Sequence, residues 1–136
     1  MAPAERVWAI LMAAERWAEW NPFAKVSGRF AVGERVFVTL TPPGKGTSTF
    51  RPTVVRMEPG RELRWIGSLG VRGLFDGEHG FRVTAEDVGR SRFEQFEMFT
   101  GLLAAPILWA VRDATRQGFE AMNRALKKRA EDPHQA

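Results

Sequence analysis

The chain has no cysteine, no tyrosine and only two histidines among its 136 residues. Without cysteine there is no disulfide, no thiolate nucleophile and no Cys-ligated zinc. His134 lies in the C-terminal tail, so a histidine-based metal site is not expected, and neither is a cofactor. No apolar run approaches the ~18 residues that span a bilayer. The N-terminus lacks the basic-then-apolar layout of a signal peptide, so the expected location is the cytoplasm, with no transmembrane segment. A phosphate-binding glycine loop, a Gly-x-Ser-x-Gly elbow and a His/Asp/Glu cluster at metal spacing are missing too. Ser27, Ser48, Ser68 and Ser91 have no base beside them in sequence. The net charge is +4 and the pI about 10.3. Arginine is nevertheless scattered, and the one basic cluster, Arg124, Lys127, Lys128 and Arg129, reads as a solvated helix end where cations suit the dipole. Nucleic-acid binding is therefore not expected.

What the chain does have is apolar aromatic surface. Ten Phe and five Trp carry little polar functionality, which suits a core or an apolar pocket better than a polar active site. Residues 2–13 read as a helix, with Pro3 at its first position and Val7, Trp8, Leu11 and Met12 on one stripe. A short helical piece over 15–20 carries Trp17 and Trp20 and is stopped by Pro22. Strands are expected over 25–31, 35–41, 48–58, 61–68, 78–86 and 91–100. Hairpin-length connections such as Pro59-Gly60 and Asp87-Val88-Gly89 make neighbouring strands antiparallel. After Gly101 the period becomes helical. Ile107, Leu108, Val111, Thr115, Gly118, Phe119, Met122 and Leu126 share a stripe to about residue 130, and only the sheet is large enough to cover it. This is an α+β pattern in one domain, 1–131, followed by a disordered tail, 132–136.

Several segments then carry a resemblance. Ala2-Pro3-Ala4-Glu5-Arg6-Val7-Trp8, Trp20-Asn21-Pro22-Phe23, Gly60-Arg61-Glu62-Leu63-Arg64-Trp65, Gly77-Glu78-His79-Gly80-Phe81 and Phe93-Glu94-Gln95-Phe96-Glu97-Met98-Phe99-Thr100-Gly101 occur in that order. Together they resemble the polyketide cyclase/dehydrase branch of the START-like (Bet v 1-like, SRPBCC) superfamily over nearly the whole chain. The resemblance implies a helix-grip fold, in which a curved antiparallel sheet wraps a long C-terminal helix. It also implies a cavity between them for lipids, polyketides or other apolar molecules. The family usually begins with a strand before the Ala-Pro motif, whereas the sequence here opens at Met1-Ala2-Pro3, so either the native start lies upstream of Met1 or the domain lacks an edge strand. Its absence would leave the 91–100 strand with an unpaired edge, open to homodimer pairing.

Alternation assigns faces. His79, Phe81 and Val83 share one face of their strand, and Phe93, Gln95, Glu97 and Phe99 share one face of the next, so His79, Gln95 and Glu97 are expected on the concave side. Phe96 and Met98 sit awkwardly on the face assigned to solvent. A hydrogen bond between the His79 ring and the Glu97 carboxylate is expected across the adjacent strands. Three readings stay open for this pair: an anchor for a ligand carbonyl or hydroxyl, a buried pair that only fixes register, and an acid–base pair. Trp65, Phe81, Phe99, Trp109 and Phe119 either line a cavity or fill a core. Asn21 before Pro22 is expected to make a corner bond, and the 70–77 stretch, rich in glycine, could form a lid. The functions left open are binding of a small hydrophobic molecule, cyclase/dehydratase chemistry on such a molecule with His79 and Glu97 as the catalytic candidates, and a protein-interaction module.

Overall fold

The computed structural model describes residues 1–41, 46–68, 73, 76–102 and 104–133, without the side chains of 104–111. Helix α1 is Ala4–Met12, and Pro3 stands at its N-cap in an extended conformation rather than at the first helical position. A six-residue 3-10 helix, Ala14–Glu19, follows and stops where Pro22 would lack a donor. The strands are β1 (Ala24–Ser27), β2 (Phe37–Leu40), β3 (Ser48–Phe50), β4 (Thr53–Glu58), β5 (Glu62–Ser68), β6 (Asp76–Asp87) and β7 (Arg90–Thr100); helix α2 is Ala104–Glu131.

Every named strand pairing is antiparallel, in the orders β1-β2-β3 and β4-β5-β6-β7. The single strand expected over 48–58 is two strands, because Pro52 is buried between them and has no N–H for a ladder. Continuity comes from elsewhere. Val36 N–H donates to the Pro52 carbonyl at 3.0 Å, and across the same seam Gly33 N–H donates to the Val54 carbonyl and Val54 N–H to the Glu34 carbonyl, both at 2.9 Å. Among the described residues β7 pairs only with β6, so its other edge is a sheet edge.

The core forms at one end of the concave side. Trp17 is fully buried, with the rings of Trp20, Phe30, Trp65 and Phe81 centred 5.7–6.4 Å away, and its indole N–H donates to the Leu11 carbonyl at 2.8 Å. That bond ties the 3-10 helix to α1 while the ring fills the sheet's hollow. Asn21 makes the corner: its Oδ1 accepts from the Phe23 and Ala24 amides at 2.9 and 3.1 Å. Phe23 is thereby aimed at α2, where Gly118 leaves the gap it enters; a Cβ there would lie 2.2 Å from the ring. From α2, Met122 closes this core, and Leu126 and Ala130 pack with Val7, Ile10 and Val83 in a second cluster.

Candidate functional site

The two long strands bring the expected polar residues together. His79 stands opposite Glu97 in the β6–β7 register, and Phe81 opposite Gln95. His79 is only 5% exposed and sits in an aromatic cage. Trp65 stacks on it with ring centroids 5.9 Å apart, Phe81 meets it edge-on at 4.4 Å, and Phe119 of α2 lies at 4.7 Å. Trp65 and Phe81 are themselves core residues, buried to 4% and 1% exposure. Phe99 is partly buried at the far end of β7, near Gly77. The side chain of Trp109 lies outside the described residues, as do residues 70–72, 74 and 75 of the stretch read as a lid.

The polar contacts differ from the expected one. His79 bonds Gln95, not Glu97: Nε2 lies 3.0 Å from Gln95 Oε1, whereas Nδ1 is 3.6 Å from Glu97 Oε2, too far for a hydrogen bond. The reason lies on the helix. Gln95 Nε2 reaches α2, donating to Asn123 Oδ1 at 2.7 Å and to the Phe119 carbonyl at 3.3 Å. This double hold turns the amide oxygen toward the imidazole and pulls the ring to that side. Asn123 was not among the sequence candidates. The signal was there: it lies four residues after Phe119, one turn along the helix and close to the buried stripe.

Glu97 is left in an unusual state. Its side chain is 19% exposed, yet Oε2 is buried and has no hydrogen-bond partner among the described residues. Beside it on the concave face, Gly77 carries no side chain. A Cβ there would sit 3.4 Å from both Glu97 Oε1 and the Phe99 ring, an ordinary contact distance, so the spot is vacant rather than filled by a neighbour. Gly80, directly between His79 and Phe81 and so on the other face, is the opposite case: Phe96 occupies its space, and a Cβ would lie 2.1 Å from the ring.

That outer face explains Phe96. Its ring is covered by the guanidiniums of Arg64 and Arg82, each 4.9 Å from the centroid. The same arginines, with Arg56, surround Glu62 at 2.7–2.9 Å. Burial alone would raise the Glu62 pKa, but hydrogen bonds from Arg64 and Arg82 outweigh it and hold the carboxyl below the usual carboxylate range.

The clefts described lie on the helical side, away from this pair. One of about 450 Å³ opens between α1, the 3-10 helix and the end of α2, over Ile10 and Trp20. Another, of about 300 Å³, lies beside Gly28 and Phe30. Among the described residues no group of three or more His, Asp or Glu could hold a metal, and no helix is long and apolar enough to cross a membrane.

Residues 1–131 match the family described as polyketide cyclase/dehydrase and lipid transport. The chain belongs to that family. No curated protein matches it. Among solved structures, a Chromobacterium violaceum protein aligns at TM-score 0.71 and 17% identity, over 96% of this chain and 91% of its own. The di-domain ARO/CYC BexL aligns at TM-score 0.72 and 14% identity, over 96% of this chain and 45% of BexL. Norcoclaurine synthase from Thalictrum flavum, in complex with dopamine and hydroxybenzaldehyde, aligns at TM-score 0.65 and 14% identity, over 93% and 79% of the two chains. At these identities the likeness is one of fold, the α+β helix-grip arrangement of two antiparallel sheets and a C-terminal helix.

Proposed function

We propose that this family member binds a small hydrophobic molecule, lipid- or polyketide-like, on the concave side of β6 and β7, with the ligand's polar group at Glu97 and His79. The observation that carries the reading is the buried Glu97 Oε2, which has no hydrogen-bond partner among the described residues. Leaving a buried acceptor unpaired costs about 1–3 kcal/mol, more for a charged one, so a fold that keeps one gains by meeting a donor there. The vacancy at Gly77 and the ring of Phe99 give the donor's apolar body somewhere to lie. Trp65, Phe81 and Phe119 act through His79, whose ring they hold. A cytoplasmic location, and homodimer formation through the free edge of β7, accompany this reading.

The neutral fluorophore N-phenyl-1-naphthylamine tests it. Saturable fluorescence enhancement is expected, weakened at least tenfold by Gly77→Leu, which places a side chain against Glu97 and Phe99. Linear, non-saturable response to this and other neutral apolar probes would overturn the proposal.

A second reading, cyclase/dehydratase-type chemistry, is favoured by one detail. Nδ1 of His79 and Oε2 of Glu97 face each other at 3.6 Å, and Oε2 has no hydrogen-bond partner among the described residues, the placement an acid–base pair requires. Deuterium uptake at C2 of 1-phenyl-1,3-butanedione, above the buffer rate and lost in Glu97→Gln while binding persists, is the expected result. An unchanged rate in Glu97→Gln would remove the pair from that role.

A further inference from the structure

We infer that the ligand group seated between His79 and Glu97 is a hydroxyl, because the helix fixes which atoms there can donate; this deepens the binding reading above and rests on it. The Phe119 main-chain carbonyl can only accept, so the end of the Gln95 amide that faces it, 3.3 Å away, is the NH₂. The opposite end is therefore the oxygen, and it must accept from His79 Nε2 at 3.0 Å. That places a hydrogen on Nε2. In the neutral imidazole the other nitrogen, Nδ1, then carries a lone pair.

Nδ1 looks at Glu97 Oε2 from 3.6 Å, and that oxygen has no donor among the described residues. The site thus presents two acceptors, with at most one proton to share between them. An ether adds a third acceptor. A carbonyl finds a donor only by taking the proton that His79 and Glu97 need between themselves. A hydroxyl fits in either protonation state of the ring. Beside a neutral ring it donates to Oε2; beside an imidazolium it also accepts from Nδ1–H and bridges the two groups. Two atoms 3.6 Å apart can both lie within hydrogen-bond distance of a single oxygen. An ammonium would donate as well, but a neutral hydroxyl is the cheaper donor to desolvate among Trp65, Phe81 and Phe119. The assigned ligand class is an apolar alcohol, phenol or enol.

Asn123 and Gln95 are positioning residues in this account, and two measurements on the full chain test it. Binding of 2-naphthol, 2-methoxynaphthalene and naphthalene is compared by calorimetry. The phenol is expected to bind at least tenfold more tightly than the ether, and the preference should fall below twofold in Glu97→Leu. Long-range ¹⁵N–¹H spectra in a His134→Asn background then report His79 alone. A proton on Nε2 is expected in the wild type, and a mixture of tautomers in Gln95→Leu, which removes the acceptor that faces Nε2. Equal affinity for phenol and ether, or a ring protonated on Nδ1 alone, would overturn the hydroxyl assignment while leaving apolar binding intact. Absence of binding by all three probes would overturn both.

Discussion

Glu62 and Glu97 lie on the same four-stranded sheet, and the protein treats them in opposite ways. Glu62, on the outer face, is 5% exposed and surrounded by three arginines at 2.7–2.9 Å. Glu97, on the concave face, has one oxygen buried beside the His79 ring and meets no hydrogen-bond donor among the described residues. The glycines beside them follow the same division. Gly80 on the outer face is filled by Phe96, while Gly77 on the inner face is left vacant. One face spends its polar groups on holding the sheet together. The other keeps a polar group in reserve.

The largest expected effect is on the outer face. Glu62→Gln should destabilise the fold by about 2–4 kcal/mol, below the full cost of breaking a buried pair because Arg56 and Arg82 keep access to water. Chemical denaturation reads this directly. Next, Gly80→Ala should cost about 1–3 kcal/mol, since Phe96 must leave its seat between Arg64 and Arg82; Gly77→Ala should cost under ~1 kcal/mol. Similar costs for the two glycines would erase the contrast between the faces.

A smaller effect appears with pH. The Glu62 pKa is lowered in the folded state, so its stabilisation is present in full above its unfolded pKa and is lost as pH falls through the folded one. Stability should therefore drop on acidification below the ordinary Glu range near ~4.3, and less steeply in Glu62→Gln. Exposed Glu19 and partly exposed Glu58 and Glu131, held low by hydrogen bonds led by Arg16, Arg61 and Lys127 respectively, account for a residual slope in both proteins. The smallest effect is at Glu97. Glu97→Leu should change stability by under ~1 kcal/mol in either direction, or raise it, because it removes an unpaired buried oxygen. A loss as large as that at Glu62 would mean that Glu97 is structural after all.

Much of this contrast was legible in the chain. Period-two alternation placed His79, Gln95 and Glu97 on one face, and hairpin-length turns set them on neighbouring strands. What alternation cannot supply is the diagonal. It put His79 and Glu97 on one face of adjacent strands, and the register sets them opposite each other, but the bond goes to Gln95, because Gln95 is held from α2. A helix–sheet contact depends on how the helix is rotated over the sheet, and a stripe read from apolar residues alone passes over Asn123. Phe96 looked misplaced on an outer face for a related reason. Its explanation is the missing side chain at Gly80 and two arginines on a neighbouring strand and its own partner, a cross-strand fact with no local signature. Pro52, by contrast, was a local signal, and the strand breaks where its missing N–H would have been needed.

The most direct test of the reserved carboxylate is ¹³C NMR of the glutamate side-chain carboxyls, assigned with Glu62→Gln and Glu97→Gln, during titration with 2-naphthol. The Glu97 resonance should move saturably, with the same dissociation constant that calorimetry gives, while that of Glu62 stays in place. A Glu97 resonance that does not move while the ligand saturates the protein would show that the cargo sits elsewhere.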